Sequence, residues 1–251
     1  MNNKFEHRYK DLIERILIEG SYEENRTGVK AKTLFAQNLK IDMSDGLLPI
    51  VTAKKIFFNK AFHEYIWIIN GCRNIDYLNK HNIHWWDKYA TPSGDLGKTY
   101  GYQLRNYNGE FDQLSYIQGQ LRFNTRRAHI TLWNPSDLKD TILPCCYTGL
   151  TFVRTDNKLN LSIDFRSSDA FLGLPYDILF GALFLKDVSE SLEINIGELY
   201  LNLNNVHIYE NNIEPAGIYL QKPIYDLPKM KIKNDELINY NHGPYIKAPL
   251  N

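Results

Sequence analysis

The sequence predicts an α+β fold, a mixed β-sheet with helices packed on one side. Three observations carry this. Segments with apolar residues at helical spacing are interspersed with segments of two-residue alternation. Residues 178–192 are apolar nearly all round, as a central buried helix must be. No Gly/Ser linker, repeat or low-complexity tract interrupts the chain, so residues 1–251 read as a single domain.

In chain order, residues 5–18 read as a helix, with Tyr9, Leu12, Ile13 and Ile16 at helical spacing. Residues 32–43 and 47–52 read as strands. Residues 58–69 read as a buried helix with Phe58, Phe62, Ile66 and Ile69 on one face. The Gly and Pro content of residues 92–101 marks a loop. A short amphipathic helix is expected over 112–121 and a short strand over 129–133. Residues 147–153 and 159–165 form a strand pair joined through Asp156-Asn157-Lys158. In the second strand Leu159, Leu161, Ile163 and Phe165 alternate with Asn160, Ser162 and Asp164. Over 199–209, an unbroken strand would put Leu199, Leu201, Leu203, His207 and Tyr209 on one face.

Composition removes several function classes. Lys+Arg and Asp+Glu number 29 each, so no bulk charge favours nucleic acid or an anionic membrane. The longest apolar run, residues 178–185, falls far short of the ~18 residues of a membrane span, and the N-terminus lacks an apolar signal core. Three cysteines, Cys72, Cys145 and Cys146, make no disulfide framework. The expectation is a cytoplasmic protein in a reducing compartment. Gly97-Lys98-Thr99 imitates the end of a phosphate-binding loop, but Pro92 stands where the motif needs glycine. His81 and His84 have no Cys or carboxylate cluster around them, so no metal is expected.

Two features could carry chemistry. Cys145-Cys146 precedes a strand, and a thiol becomes a useful nucleophile where cations or a base favour the thiolate. The alternative is a small buried hydrophobe. Arg126-Arg127, near Arg122, and Arg166 at a strand end could converge on a phosphate. A solvated face is the bland reading of any one of them. Arg166 lies between a core strand and a core helix, where an unpaired charge is costly.

Leu143-Pro144-Cys145-Cys146, the run Phe165-Arg166-Ser167-Ser168-Asp169-Ala170-Phe171-Leu172-Gly173-Leu174-Pro175-Tyr176-Asp177, and Val206-His207-Ile208-Tyr209 together resemble the thymidylate synthase family. That family includes thymidylate synthases and deoxycytidylate hydroxymethylases. Asn25-Arg26-Thr27-Gly28, Phe62-His63-Glu64-Tyr65-Ile66-Trp67, Trp86-Asp87, Gly94-Asp95-Leu96-Gly97, Tyr100-Gly101 and Ile246-Lys247-Ala248-Pro249 extend the resemblance over nearly the whole chain.

The resemblance implies a division of labour. Cys146 adds to C6 of a pyrimidine nucleotide, activating C5 toward 5,10-methylenetetrahydrofolate, with no metal. Arg26, Arg126, Arg127 and Arg166 bind the 5'-phosphate, and their charge favours the Cys146 thiolate. Ser167 assists them, and His207 and Tyr209 hold the sugar 3'-hydroxyl. Glu64 relays protons near the ring, against the plain alternative of an i, i+4 surface pair with Lys60. Tyr100 helps remove the C5 proton. Trp86, Asp169, Leu172, Gly173 and Tyr176 lie on the folate side. The Arg126-Arg127 pair reaches a second subunit, which implies a homodimer; no nucleic acid or membrane is required.

One departure bears on the substrate. The synthases usually carry Asn where this chain has Asp177. An amide matches the N3–H donor and O4 acceptor of uracil, whereas cytosine offers the reverse. A carboxyl group that shares a proton with N3 and accepts from the amino group matches cytosine, and such polar pairing discriminates by ~10⁴ or more. Helix capping by Asp177 is the competing explanation, although Asn caps equally well. Tyr147, Tyr89 and Cys145 also depart from the usual histidine, tryptophan and proline. The expectation is hydroxymethylation of dCMP, with dCMP methylation or thymidylate synthesis as alternatives and a non-catalytic nucleotide-binding relative as a remote one.

Overall fold

The computed structural model describes residues 3–123 and 125–250. Helix α1 (Lys4–Glu19) is capped by the Asn3 side chain and buries Tyr9, Leu12, Ile13 and Ile16, as their spacing requires. Strands β1 (Ser21–Glu23) and β2 (Ala31–Asp42) follow, then α2 (Phe58–Ile69), α3 (Asp76–Lys80), α4 (Tyr100–Arg105) and α5 (Gln113–Leu121). The chain continues through β3 (His129–Thr131), β4 (Tyr147–Thr155), β5 (Lys158–Phe165) and β6 (Ser168–Asp169). It ends with α6 (Leu174–Ser191), β7 (Asn195–Tyr209), α7 (Ile213–Leu220) and the short pair β8 (Ile232–Lys233) and β9 (Glu236–Leu237).

Among the described residues the main sheet has seven strands in the order β1-β2-β7-β5-β4-β3, with β6 beside β7. The pairings of β7 with β5 and β6 are parallel and the others antiparallel. The fold is α+β with a mixed sheet. Helices α1 and α6 pack on β2, β5 and β7, and α2 packs against α6. The Asp156-Asn157 turn has both residues at positive φ, as a tight twisted hairpin demands.

Three expectations need correction. Residues 47–52 are not a strand. Pro49 interrupts them, Leu47 makes one isolated bridge to Lys229, and the backbone N–H of Thr52 donates 2.8 Å to the buried Glu6 carboxylate. Ala53 N–H donates 2.7 Å to the same group, so a side chain satisfies backbone that a sheet would otherwise pair. In α2 the fully buried residues are Phe58, Ala61, Tyr65, Trp67 and Ile68, while Phe62, Ile66 and Ile69 are only partly buried. The helix is clasped on two sides, which rotates its deepest face away from the expected stripe. In β7 the odd positions Leu199, Leu201 and Leu203 are buried, but beyond Asn204 the buried residues are Val206 and Ile208.

This parity switch is part of a line of irregularity across the sheet. Opposite it in β2, Ala36 has φ 52° and lies between the pairs Phe35–Asn205 and Gln37–Leu203. On the other side β5 stops at the Phe165–Leu203 pair and pairing resumes at Ser168–Val206 in β6. Arg166 and Ser167 sit in that gap. The break therefore re-aims Arg166, His207 and Tyr209 relative to the regular half of the sheet.

Candidate active site

Cys146 immediately precedes β4, whose register slips between Tyr147 and Gly149, a bulge that turns the chain at the nucleophile candidate. Its backbone is held from two sides. The N–H donates 2.7 Å to the Tyr100 hydroxyl at the start of α4, and the carbonyl accepts 2.9 Å from the Arg166 N–H. The Arg166 guanidinium donates to the Cys145 carbonyl at 2.9 Å and the Pro144 carbonyl at 2.7 Å, and stands 3.7 Å from Cys146 Sγ. Arg166 thus fixes the loop that presents the thiol. Burial pushes the Cys146 thiol up; Arg166, the Tyr100 hydroxyl and Arg26 pull it down, and Asp177 adds to the rise. Burial prevails. Arg166 and Arg26 favour the thiolate but do not outweigh burial.

Neighbouring Cys145 is buried, touches Thr99 Oγ1 at 3.7 Å and has its thiol pushed to about 12 by burial. Among the described residues all three cysteines are free.

Glu64 projects from α2 into the interior. Its carboxylate accepts 2.9 Å from Trp85 Nε1 and 2.5 Å from Trp86 Nε1. Burial raises its pKa against those two bonds. The surface-pair reading fails, since Lys60 Nζ donates instead to the Asn82 carbonyl. The Trp86 ring lies 5.8 Å from the Tyr100 ring, linking Glu64 to the Cys146 loop.

Asp177 lies in the first turn of α6. The N-cap is Gly173 and no side chain caps that helix, so the capping explanation for Asp177 also fails. Among the described residues no donor reaches its carboxyl group. Burial, then the charges of Glu64 and Asp169, hold it well above the usual carboxylate range, favouring the neutral acid. Asp169 accepts from the Phe171 and Leu172 N–H groups at 2.9 and 3.1 Å. Burial raises its pKa, against the opposing charge of His207, whose own pKa burial lowers. The His207 ring meets Tyr209 edge-on at 5.1 Å, and its Nδ1 lies 3.0 Å from Asn205 Oδ1.

The structure gathers Cys146, Tyr100, Arg166, Asp177, Glu64 and Trp86, and brings Arg26 within electrostatic reach of both Cys146 and Tyr209. Ser167 adjoins them in the sheet gap. Leu172, Gly173 and Tyr176 form the rim at the start of α6, with Tyr176 5.5 Å from the Trp85 ring. Arg126 and Arg127 stay apart: both are exposed in the loop before β3, with no side-chain partner among the described residues.

Two neighbours escaped the sequence. Trp85 shares Glu64 with Trp86, and the Trp85-Trp86 doublet was its only signal. Lys54 is 5% exposed, donates to the Phe171 carbonyl and lies 3.6 Å above the Phe171 ring, with its pKa lowered to about 7 by burial. Nothing in Thr52-Ala53-Lys54-Lys55 distinguishes the buried lysine from the exposed one.

Among the described residues no helix is long and apolar enough to cross a membrane, and no His/Cys/Asp/Glu group is arranged to hold a metal. A family model described as thymidylate synthase matches residues 7–250.

Proposed function

The chain belongs to the thymidylate synthase family, whose members transfer one-carbon units to C5 of pyrimidine nucleotides, and on that premise we propose that it is a dCMP 5-hydroxymethylase. The observation that carries the choice of base is Asp177: a half-buried carboxyl within electrostatic reach of Cys146, without a protein donor and held toward the neutral acid. A neutral acid donates to N3 of cytosine while its carbonyl oxygen accepts from the amino group.

In this reading Cys146 Sγ bonds to C6 of the ring, which makes C5 a carbon nucleophile. Its raised resting pKa means that the thiol loses its proton as the attack proceeds, with Arg166 3.7 Å from the sulfur to stabilise the developing charge. The folate supplies the one-carbon unit; C5 bonds to its methylene carbon, and loss of the C5 proton and of tetrahydrofolate leaves an exocyclic methylene. Tyr100, at the Cys146 loop, is placed for the C5 proton, and Glu64 for proton relay. Addition of water to the exocyclic carbon and departure of Cys146 restore the C5=C6 bond and give hydroxymethyl. Arg26, Arg166 and Ser167 bind the phosphate, and His207 and Tyr209 the sugar. Trp86, Leu172, Gly173 and Tyr176 suit a flat pteridine, and the Asp169 carboxyl suits its N–H groups. The exposed, unpartnered Arg126 and Arg127 suit service to the phosphate site of a second copy in a homodimer.

A second reading has one observation in its favour. Tyr245 of the tail packs 5.4 Å from the Phe57 ring, and Ile246 and Ala248 pack against the core. A closed tail excludes water, which favours hydride transfer and a methyl product. The deciding assay gives the enzyme dCMP or dUMP with 5,10-methylenetetrahydrofolate. We expect 5-hydroxymethyl-dCMP without dihydrofolate, and a shift toward dUMP in Asp177→Asn. Dihydrofolate formed with dCMP would establish methylation; turnover of dUMP alone would remove the cytosine assignment.

A further inference from the structure

Tyr100 and Cys146 meet where two segments converge, and one buried carboxylate stands at the root of both. Asp137, 5% exposed, lies in the tight helical turn Pro135–Asp140. Its carboxylate accepts from Lys98 Nζ at 2.7 Å, Gln103 Nε2 at 2.9 Å and Asn134 Nδ2 at 2.9 Å. Burial alone would raise its pKa; Lys98, Gln103 and Asn134 outweigh that and hold it below the usual carboxylate range, so the group is an anion. Lys98 stands two residues before Tyr100 and Gln103 three after it. Gln103 Nε2 also donates 3.0 Å to the Lys98 carbonyl, so the chain entering α4 is gripped by side chain and backbone together. The grip leaves Gln103 Oε1 buried without a partner among the described residues, a cost that an amide free to turn would avoid. On the other side, the Asp137 carbonyl accepts 2.8 Å from Thr141 Oγ1, at the start of the segment that ends in Cys146. The two segments touch again at their tips. Thr99 Oγ1 donates 3.5 Å to the Leu143 carbonyl, and the Tyr100 hydroxyl accepts the Cys146 N–H.

We infer that Asp137 is a positioning residue for removal of the C5 proton: through Lys98 and Gln103 it fixes the Tyr100 hydroxyl against the Cys146 loop. This rests on the reading that Tyr100 serves that step at a ring bonded to Cys146. An amide at position 137 has one acceptor oxygen for three donors, and its NH2 group faces either the Lys98 ammonium or the two amide donors. Asp137→Asn therefore releases an anchor of Tyr100 without emptying any space. The groups proposed to hold the nucleotide, Arg26, Arg166 and His207, lie on other segments. Binding should survive where proton removal does not.

The test is tritium release from dCMP and dUMP labelled at C5, with 5,10-methylenetetrahydrofolate present, which reads C5 proton removal for either base and either product. Release and calorimetric nucleotide binding are measured for the full unaltered chain, Asp137→Asn, Tyr100→Phe and the double variant. Asp137→Asn should lower release at saturating substrates about tenfold, within the loss that a displacement of about 1 Å can cause. Nucleotide affinity should change by less than about twofold, and so should release when Asp137→Asn is added to Tyr100→Phe, where no hydroxyl is left to place. Equal losses in both backgrounds, a loss in affinity instead of release, or no loss at all overturns the inference and leaves Asp137 a structural residue. Lys98→Met, at a side chain 38% exposed, takes the same comparison should Asp137→Asn not fold. If the unaltered enzyme releases tritium from dUMP alone, the cytosine assignment falls, and the comparison made with dUMP still decides Asp137. If dCMP is the substrate and Asp137→Asn is silent, only the Asp137 inference falls. Release from neither nucleotide overturns both.

Discussion

At the scale of single residues, the group proposed to read the base also burdens the fold. Asp177 is half-buried, lacks a protein donor and feels the charges of Glu64 and Asp169. Its folded pKa is above its unfolded value, so the native state binds more protons than the unfolded state between the two. The stability it contributes is complete below about pH 4, the usual carboxylate value, and is lost as pH rises through the folded pKa. Asp177→Asn removes this titration. We expect the melting temperature of the variant to gain on the unaltered protein as pH rises from 4 to 8. At pH 8 it should exceed it by about 2–4 °C, roughly 1 kcal/mol in a chain of this size. Parallel melting curves across that range would mean that the carboxyl is neither buried nor unpaired. The Asp-for-Asn departure was visible in the sequence because it sits inside an ordered run of family residues. Its lack of a capping partner was not, because that depends on where Gly173 ends the preceding turn.

At the scale of elements, the site is assembled by close approach rather than by any one motif. Helix α4 presses on the end of α2 where Gly101 has no side chain; a Cβ there would lie 2.9 Å from the Ile68 carbonyl oxygen and 3.0 Å from that of Cys72. This contact sets the position of Tyr100, whose hydroxyl accepts the Cys146 N–H. Gly101→Ala must push α4 away from fixed backbone. We expect a cost of about 1–3 kcal/mol in denaturant unfolding. Turnover should fall more than nucleotide affinity, since Tyr100 moves and the arginines proposed to bind the phosphate do not. Unchanged stability and turnover would show that α4 does not set the Cys146 loop. The elements themselves were largely legible. Residues 5–18, 112–121 and 159–165 have clean periodicity because each packs one face on the core. Residues 47–52 misled because Glu6, more than forty positions away, takes the role of a neighbouring strand. The parity break in β7 was hidden for the same reason: its cause includes Ala36 in β2 and the gap after β5.

At the scale of the whole molecule, the two exposed arginines and the sheet pose one question. The helices α1 and α6 cover one side of the sheet, while Lys40, Thr151, Val153, Asn160, Ser162, Glu198 and Tyr200 line a shallow open depression. Arg126 and Arg127 stand in the loop before β3, the strand that ends the sheet order. If they complete the phosphate site of a second copy, a site is built from the Cys146 of one chain and the arginines of its partner. Two damaged chains can then repair each other. Cys146→Ser and the double variant Arg126→Ala/Arg127→Ala should each be nearly inactive alone. After unfolding and refolding together in equal amounts, half of the dimers pair one of each. In each mixed dimer one site has both Cys146 and its arginines, and the other has neither, so activity should return to about a quarter of that of the unaltered enzyme. If the arginines act within their own chain, every site in the mixture lacks one component and no activity returns. Isolating the mixed dimer through a tag carried by one variant separates this outcome from failure to exchange subunits, because a mixed dimer that is inactive assigns Arg126 and Arg127 to their own subunit.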